Sequence, residues 1–198
     1  MARVYIVSTP IGNLSDITYR ALEVLAAVNR VLAEDTRRTG ILFRHYGITT
    51  PLYSAHAHNE EGRAAQLLTW LDAGEDVALV SDAGTPLLSD PGARIVQVAV
   101  EKGHDVVPVR GASALLAALV GAGLPVERFS YYGFPPRSGR GRTELLAEIC
   151  KLSHTAVLYE APGRLHKLLL DLAGVCGADR PVVVARELTK LDGTVVRG

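Results

Sequence analysis

The chain has 198 residues, of which 48% are hydrophobic and 21% are charged, a composition that suits a globular protein with a packed core and excludes intrinsic disorder. Lysine plus arginine and aspartate plus glutamate both total 21, so there is no global positive field to attract nucleic acid. Any nucleic-acid site must therefore be a local basic patch.

The first part of the chain alternates short runs rich in Val, Ile and Leu with longer amphipathic segments, which predicts an α/β fold with a parallel sheet. Strands are predicted at residues 4–8, 31–33, 51–55, 76–80 and 106–109. Helices are predicted at residues 18–28, 36–45, 62–73, 93–102 and 113–122. Asp16 is the candidate N-cap of the first helix.

A domain boundary is predicted after residue 122, because Gly121, Gly123 and Pro125 end one helix and start a new extended segment. We therefore divide the chain into an N-terminal α/β domain, residues 1–122, and a C-terminal α/β domain, residues 123–198. The second domain is predicted to have strands at 129–132, 156–159 and 182–185 and helices at 142–152 and 164–175. Its basic segment PPRSGRGR is predicted to be a flexible loop.

The cysteines, the lengths of the apolar runs and the two termini predict where the protein is located and where its last domain ends. Cys150 and Cys176 lack CxxC spacing, which argues against zinc and fits a reducing compartment, and we interpret both as buried thiols. No apolar run reaches the ~20 residues that span a bilayer, and Pro10 comes too early for a signal peptide. We expect a cytoplasmic protein without a membrane partner. Because TVVRG continues a strand-like pattern to the last residue, we also expect the chain to end inside its last domain.

The loops after the strands carry the strongest functional signal, since ligands of open α/β sheets bind beyond the carboxyl ends of the strands. Residues 81–92, SDAGTPLLSDPG, follow a buried strand and combine glycine, acids and hydroxyls, which predicts a ligand cleft. STPIGN after the first strand and GASA at a helix start are further candidates, since helix-start amides favour anions. Plain helix capping through Asp90, Pro91 or Ser113 is the structural alternative. No loop matches GxGxxG or GxxxxGK[ST], so neither NAD nor ATP is indicated.

Two polar clusters, AEDTR and HAHNE, follow the second and third strands. Their acids, amide and imidazoles can serve as general bases or grip a substrate, although acids before a helix also complement its dipole. His56, His58 and Asp35 lack the fixed spacing of a ligand set, so we predict no metal site.

The motifs together resemble the tetrapyrrole methylase superfamily, and more closely its branch of small-subunit ribosomal RNA cytidine ribose 2′-O-methyltransferases. The resemblance runs in order across the chain through STPIGNLSDITYRALEVL, AEDTRRTGILFRHYGI, HAHNE, VSDAGTPLLSDPGARIV, GASALLAAL, GLPVERF, YYGFPPR, YEAPGRL and PVVVARELTK. It implies two α/β domains with S-adenosylmethionine held in the cleft between them.

The resemblance also implies cofactor contacts in both domains. In the first they are Pro10, Ser81, Asp82, Ala83, Gly84, Thr85, Leu88, Ser113 and Ala114. In the second they are Tyr159, Glu160, Arg186, Glu187 and Leu188.

The implied reaction is methylation of a cytidine 2′-hydroxyl in the decoding region of small-subunit ribosomal RNA. Asp35, His58 and Glu60 are the candidates for the base that deprotonates or orients this weakly acidic hydroxyl. Clustered arginines are expected to hold RNA phosphates despite the neutral total charge, and the candidates are Arg37, Arg38, Arg44, Arg137, Arg140 and Arg142. A homodimer that pools two basic patches is expected to bind the small ribosomal subunit. The alternatives are a precorrin-type tetrapyrrole C-methyltransferase and a non-catalytic cofactor-binding or RNA-binding protein on the same fold.

Overall fold

The computed structural model describes residues 2–198, which divide into two compact units with the division between Ala114 and Leu115. Within residues 2–198, no helix combines the length and the apolar character needed to cross a lipid bilayer. Each unit is described by itself.

The first unit contains a sheet of five parallel strands in the order β3-β2-β4-β1-β5. The strands are β1 (Arg3–Val7), β2 (Arg30–Ala33), β3 (Leu52–Ser54), β4 (Val77–Val80) and β5 (Asp105–Val109). All four residues of β4 are buried, as expected for a central strand covered on both faces. The predicted parallel α/β architecture is confirmed.

Four helices cover the two faces of this sheet, and a short 3-10 helix (Leu14–Asp16) precedes the first. They are α1 (Tyr19–Ala27), α2 (Thr36–Tyr46), α3 (Glu60–Asp72) and α4 (Ala93–Glu101). Val77 and Leu79 of β4 pack in one core with residues of α3 and α4. Ala78 and Val80 pack in a second core with residues of α1 and α2. Alternate residues of a strand point to opposite faces, so α1 and α2 lie on one face and α3 and α4 on the other.

The start of α1 differs from the prediction. Thr18 is the N-cap, and its side-chain oxygen accepts the backbone N–H of Ala21 at 3.1 Å. The predicted cap, Asp16, was wrong because Asp16 belongs to the preceding 3-10 helix.

The second unit contains two small sheets and three helices. Strands β6 (Phe129–Tyr131) and β7 (Thr155–Val157) pair in parallel, and β8 (Val183–Arg186) and β9 (Thr194–Arg197) pair antiparallel. The helices are α5 (Ala114–Ala122), α6 (Arg140–Lys151) and α7 (Pro162–Cys176). The strand-like pattern in TVVRG corresponds to β9.

Almost all of helix α5 belongs to the second unit, whereas the glycines and proline near its end predict that it ends the first. Arg197 of β9 donates from Nε to the carbonyl of Ala122 at 2.9 Å and from Nη2 to that of Gly121 at 2.6 Å. The last carbonyls of a helix have no partner inside the helix, so this arginine satisfies the end of α5.

The two cysteines lie in the second unit, and the prediction that both are buried was wrong, because both are only half-buried. The Cys150 thiol donates to the carbonyl of Val175 at 3.2 Å, beside Cys176 in the chain. Burial, together with contact with the Cys150 thiol, raises the pKa of Cys176.

Candidate functional site

The topology of the first unit indicates a ligand site at the carboxyl ends of β2 and β4. These strands are neighbours, yet they lead into α2 and α4, which lie on opposite faces of the sheet. A crevice opens where adjacent strands send their connections to opposite faces, and ligands of open α/β sheets bind there. The β2 loop (residues 34–35) and the β4 loop (residues 81–92) border this crevice.

Asp82 joins these two loops. Its Oδ1 accepts the backbone N–H of Asp35 at 2.9 Å, and its own backbone N–H donates to Oε2 of Glu34 at 3.4 Å. Arg38 of α2 approaches the other carboxylate oxygen, with its Nε 3.5 Å from Oδ2 of Asp82. Asp82 therefore holds the polar start of α2 against the β4 loop.

Asp35 is the N-cap of α2, and its Oδ1 accepts the backbone N–H of Arg37 at 2.9 Å. The Arg37 guanidinium also binds this carboxylate, at 3.1 Å from Nε to Oδ1 and 2.8 Å from Nη2 to Oδ2. These bonds lower the pKa of Asp35 to about 2. A carboxylate with so low a pKa is a weak proton acceptor, so the geometry favours an orienting role for Asp35.

Asp90 has the opposite electrostatic environment at the same end of the sheet. Burial raises its pKa to about 6, repulsion from Glu34 and Asp82 adds to the effect, and a hydrogen bond with the Ser81 side chain opposes it. A carboxyl group that titrates near neutral pH can exchange protons under physiological conditions. Asp90 is therefore the strongest acid–base candidate in the β4 loop.

The β4 loop is also tied to the β1 loop (residues 8–13). The backbone groups of Thr9 and Gly84 exchange two hydrogen bonds of 2.9 Å, and the Thr9 hydroxyl donates to the carbonyl of Ser81 at 3.1 Å. Gly84 has a φ of +85°, and a Cβ there would lie 3.2 Å from Ile11. A left-handed backbone this close to a neighbour favours glycine.

The β5 loop (residues 110–113) packs against the same cluster. Thr85 Oγ1 donates to the carbonyl of Ala112 at 3.2 Å and lies 3.1 Å from the hydroxyl of Ser8. A Cβ at Gly111 would lie 2.9 Å from Cβ of Ser8, so the close approach of the two loops requires glycine. The loops after β1, β4 and β5, predicted separately, form one cluster.

The middle of the β4 loop combines exposure with unusual backbone geometry. Leu87 and Ser89 have φ values of 74° and 68°, and such values in residues other than glycine cost energy and cluster at ligand sites. Ala83 and Leu88 are exposed, and Pro10 of the β1 loop is half-buried.

The HAHNE cluster has a defined structural role. Oε1 of Glu60, the first residue of α3, accepts the backbone N–H groups of Gly92 at 3.1 Å and Arg94 at 2.8 Å, where α4 begins. His58 is exposed, and its ring lies 5.9 Å from that of His56. Across residues 2–198, no three His, Cys, Asp or Glu side chains are arranged to hold a metal ion.

In the second unit, Glu160 lies two residues before the first residue of α7, and only 4% of its side chain is exposed. Its Oε1 accepts the backbone N–H of Ala161 at 2.8 Å and Nε of Arg164 at 2.6 Å. Its Oε2 is buried and has no hydrogen-bond partner within the described part of the chain. A buried carboxylate oxygen without a donor is costly, which makes Oε2 an acceptor available to a ligand.

The segment after β8 contains the other sequence candidates of the second unit. Arg186 ends β8, and Glu187 follows with a φ of 52° and an ion pair to Lys190 at 2.7 Å. Arg186 and Glu187 are exposed, and Leu188 is half-buried.

Comparison with known proteins supplies the family. A family model described as Tetrapyrrole (Corrin/Porphyrin) Methylases matches residues 3–198, nearly the whole chain. The chain belongs to the tetrapyrrole methylase family.

Relatives of this methylase include two bacterial proteins named ribosomal RNA small subunit methyltransferase I. The protein from Synechocystis sp. is 48% identical over 198 residues, which cover 100% of this chain and 71% of the relative. The protein from Escherichia coli O157:H7 is 50% identical over 193 residues, which cover 98% of this chain and 68% of the relative.

Solved structures share the fold of this methylase at much lower identity. Cobalt precorrin-4 methyltransferase, a cobalamin biosynthetic enzyme, matches with a TM-score of 0.73 at 21% identity, covering 98% of this chain and 84% of that one. Uroporphyrin III C-methyltransferase from Thermus thermophilus matches with a TM-score of 0.69 at 21% identity, covering 100% of this chain and 88% of that one.

The arginines proposed to contact RNA have different surroundings in this methylase. Arg37, Arg38 and Arg44 are exposed on α2, and Arg137 and Arg140 are exposed before and at the start of α6. Arg142 is only 7% exposed. Its guanidinium donates to the carbonyl of Pro136 at 2.9 Å and pairs with Asp171 at 2.8 Å. This geometry gives Arg142 a structural role and offers little to an RNA phosphate.

The residues that sequence reasoning missed are Asp90 as an acid–base group and Glu34 as its charged neighbour. Asp90 was considered only as a helix cap, and Glu34 only as part of AEDTR. The one available signal was that four acids follow strands β2 and β4, namely Glu34, Asp35, Asp82 and Asp90. That these two strands are neighbours in the sheet could not be read from the sequence.

Proposed function

We propose that this chain is an S-adenosylmethionine-dependent methyltransferase that modifies the ribose 2′-hydroxyl of a cytidine in small-subunit ribosomal RNA. The observation that carries the proposal is 48–50% identity, over nearly the whole chain, to proteins named ribosomal RNA small subunit methyltransferase I. The structures of tetrapyrrole enzymes at 21% identity support the fold alone.

The polar groups of both units fit the chemistry of the cofactor, which when bound supplies an electrophilic methyl group. The unpaired, buried Oε2 of Glu160 suits a hydroxyl or ammonium donor, and the carboxylate of Asp82 suits the same groups. We propose that the cofactor is held by Pro10, Ser81, Asp82, Ala83, Gly84, Thr85, Leu88, Ser113 and Ala114, and by Tyr159, Glu160, Arg186, Glu187 and Leu188.

The ribose hydroxyl must lose its proton as its oxygen is methylated, and we propose that Asp90 accepts it. With a pKa of about 6, Asp90 is mostly ionised at neutral pH and still basic enough to share a proton. Asp35, held by Arg37, is proposed to orient the ribose. His58 is exposed and accessible to RNA, and Glu60, which also holds the start of α4, completes the set of candidates.

Exposed arginines are proposed to hold the RNA backbone. Arg37, Arg38 and Arg44 lie on α2, Arg137 lies on the loop before α6, and Arg140 is the first residue of α6. Phosphate contacts of this kind position an RNA without reading its sequence. A cytoplasmic homodimer acting on the assembled small subunit completes the proposal.

The proposal is tested by supplying the protein with methyl-labelled cofactor and either small ribosomal subunits lacking this modification or a precorrin-type tetrapyrrole. We expect label only in ribosomal RNA, at a 2′-O-methylcytidine identified by mass spectrometry. Label in the tetrapyrrole would identify a C-methyltransferase. Calorimetric cofactor binding without any transfer would identify a binding protein.

A further inference from the structure

A loop of the second unit presents a large aromatic side chain to solvent. Phe134 follows β6 and has 53% of its surface exposed. It lies in residues 133–139, which we term the aromatic loop. Exposed aromatic rings are expensive to leave in water and are enriched where proteins bind partners.

The Phe134 ring is supported from one side by other aromatic rings. Its centroid lies 5.5 Å from that of Tyr159, with a tilt of 59°. The Tyr159 ring in turn packs edge-on against Tyr131, with centroids 5.2 Å apart. Such contacts fix the orientation of a ring, so Phe134 is the outer member of a braced aromatic cluster.

The backbone of the aromatic loop is also fixed on both sides of Phe134. The backbone N–H of Tyr159 donates to the carbonyl of Gly133 at 2.8 Å. On the other side, Nη1 of the buried Arg142 donates to the carbonyl of Pro136 at 2.9 Å, and the same guanidinium pairs with Asp171. The loop therefore pre-organises its exposed ring, which lowers the entropic cost of binding.

Two arginines follow Phe134 within six residues of the chain, and their positive charge favours an anionic partner. Arg137 is exposed and has no hydrogen bond or ion pair to any residue between 2 and 198. Arg140 is exposed and pairs with Glu144 at 2.6 Å. An exposed aromatic face and an unpaired guanidinium three residues further along the chain match a nucleotide, in which a base and a phosphate are joined.

We infer that Phe134 is a stacking platform for an unpaired base of the RNA substrate, with Arg137 on an adjacent phosphate. The inference rests on the proposed function in that RNA is the substrate. The base must be unpaired, because the faces of bases inside a duplex are already stacked.

The test measures binding of a fluorescein-labelled single-stranded RNA of about ten nucleotides by fluorescence anisotropy, for the wild type, Phe134→Ala and Phe134→Leu. Both variants should weaken binding by roughly tenfold, within the range for loss of one stacked base. Phe134→Leu keeps an apolar side chain without the flat ring, and Phe134→Trp should bind like the wild type. A blunt RNA duplex should bind all four proteins equally.

Salt titration distinguishes the contribution of the Phe134 ring to RNA affinity from that of the Arg137 charge. Phe134→Ala should leave the salt dependence of binding unchanged, whereas Arg137→Gln should reduce its slope by about one. Circular dichroism checks that each variant is folded. The inference would be overturned if Phe134→Leu bound RNA with the affinity of the wild type. It would also be overturned if calorimetry showed weaker binding of S-adenosylmethionine while RNA binding was unchanged.

The two proposals fail in different ways. If the wild type methylates ribosomal RNA but Phe134→Ala binds RNA normally, the platform is wrong and the proposed function stands. If RNA binding depends on Phe134 but no ribosomal RNA is methylated, Phe134 is an RNA-binding platform, but the proposed function, and with it the RNA substrate, is wrong.

Discussion

At the scale of single residues, two carboxyl groups at one end of the sheet have pKa values displaced in opposite directions. Arg37 binds Asp35 and lowers its pKa to about 2, whereas burial and repulsion raise that of Asp90 to about 6. Two carboxyl groups whose pKa values are displaced in opposite directions typically divide the roles of acid and base between them. This difference supports the proposal that Asp90 accepts the proton and that Asp35 orients the ribose.

Asp90→Asn should stabilise the protein at pH 7.5. The pKa of Asp90 is higher in the folded state than its ordinary 3.8, so the folded state binds more protons and loses stability as pH rises through pH 4–6. The full shift corresponds to about 3 kcal/mol, which screening at this partly exposed group reduces to about 1 kcal/mol. Urea unfolding at pH 4 and pH 7.5 measures the effect.

The matched control is Asp192→Asn, which alters an exposed aspartate in the second unit. It should leave the free energy of unfolding unchanged at both pH values. If Asp90→Asn is no more stable than the wild type at pH 7.5, the raised pKa is contradicted.

At the scale of elements, the loops after adjacent strands fit together closely, and Gly111→Ala should disrupt that fit. The added Cβ would lie 2.9 Å from Cβ of Ser8, and overpacking of this kind costs about 1–3 kcal/mol. Gly62→Ala is the control, because nothing lies within 4 Å of its added Cβ and alanine favours helix α3. Thermal unfolding should show a lower midpoint for the first variant and an equal or higher one for the second.

A double-mutant cycle identifies the cause. In a Ser8→Gly background the clashing Cβ is absent, so Gly111→Ala should cost less there. An undiminished cost would assign the effect to another contact.

The connection between the β2 and β4 loops gives a second prediction at this scale. Asp82→Ala removes the acceptor of the Asp35 backbone N–H and should lower the free energy of unfolding by about 1 kcal/mol. Asp82→Asn keeps an oxygen at that position and should retain most of the stability. Chemical unfolding compares the two, and equal losses would show that the negative charge matters more than the hydrogen bond.

The sequence predicted the strands and helices of the first unit well, because apolar periodicity and strand-end polarity are local signals. The strand order was not predictable, since the pairing of β4 with β1 and β2 depends on long-range packing. Asp90 was therefore missed as an acid–base group, because its raised pKa is caused first by burial and then by repulsion from Glu34. Both causes depend on how the loops pack in the folded sheet. Likewise, Arg142 in a basic segment was indistinguishable from Arg137 until its contact with Asp171 was known.

At the scale of the whole molecule, RNA affinity should depend on exposed arginines and not on the total charge, which is zero. Arg137→Gln should reduce the slope of log affinity against log salt by about one and leave stability unchanged. Arg142→Gln should leave the slope nearly unchanged but cost about 3 kcal/mol, because it breaks a largely buried ion pair. Anisotropy titrations and urea unfolding measure the two quantities, and a reversed pattern would contradict the assignment.

The proposed homodimer predicts a solution mass of twice the 21.1 kDa of one chain. Sedimentation equilibrium over a range of micromolar concentrations measures it. A single species with the mass of one chain would contradict the proposed homodimer.

The position of β4 in the sheet also determines when the sheet can form while the chain is being synthesised. β1 pairs with Val77–Val80 on one side and with Asp105–Val109 on the other, so the first strand made has no partner until more than a third of the chain has left the ribosome. Until then the apolar faces of β1 and β2 stay uncovered, which exposes the nascent chain to misassociation. Strand β4, which borders the ligand crevice, must therefore emerge from the ribosome before the first unit can fold productively.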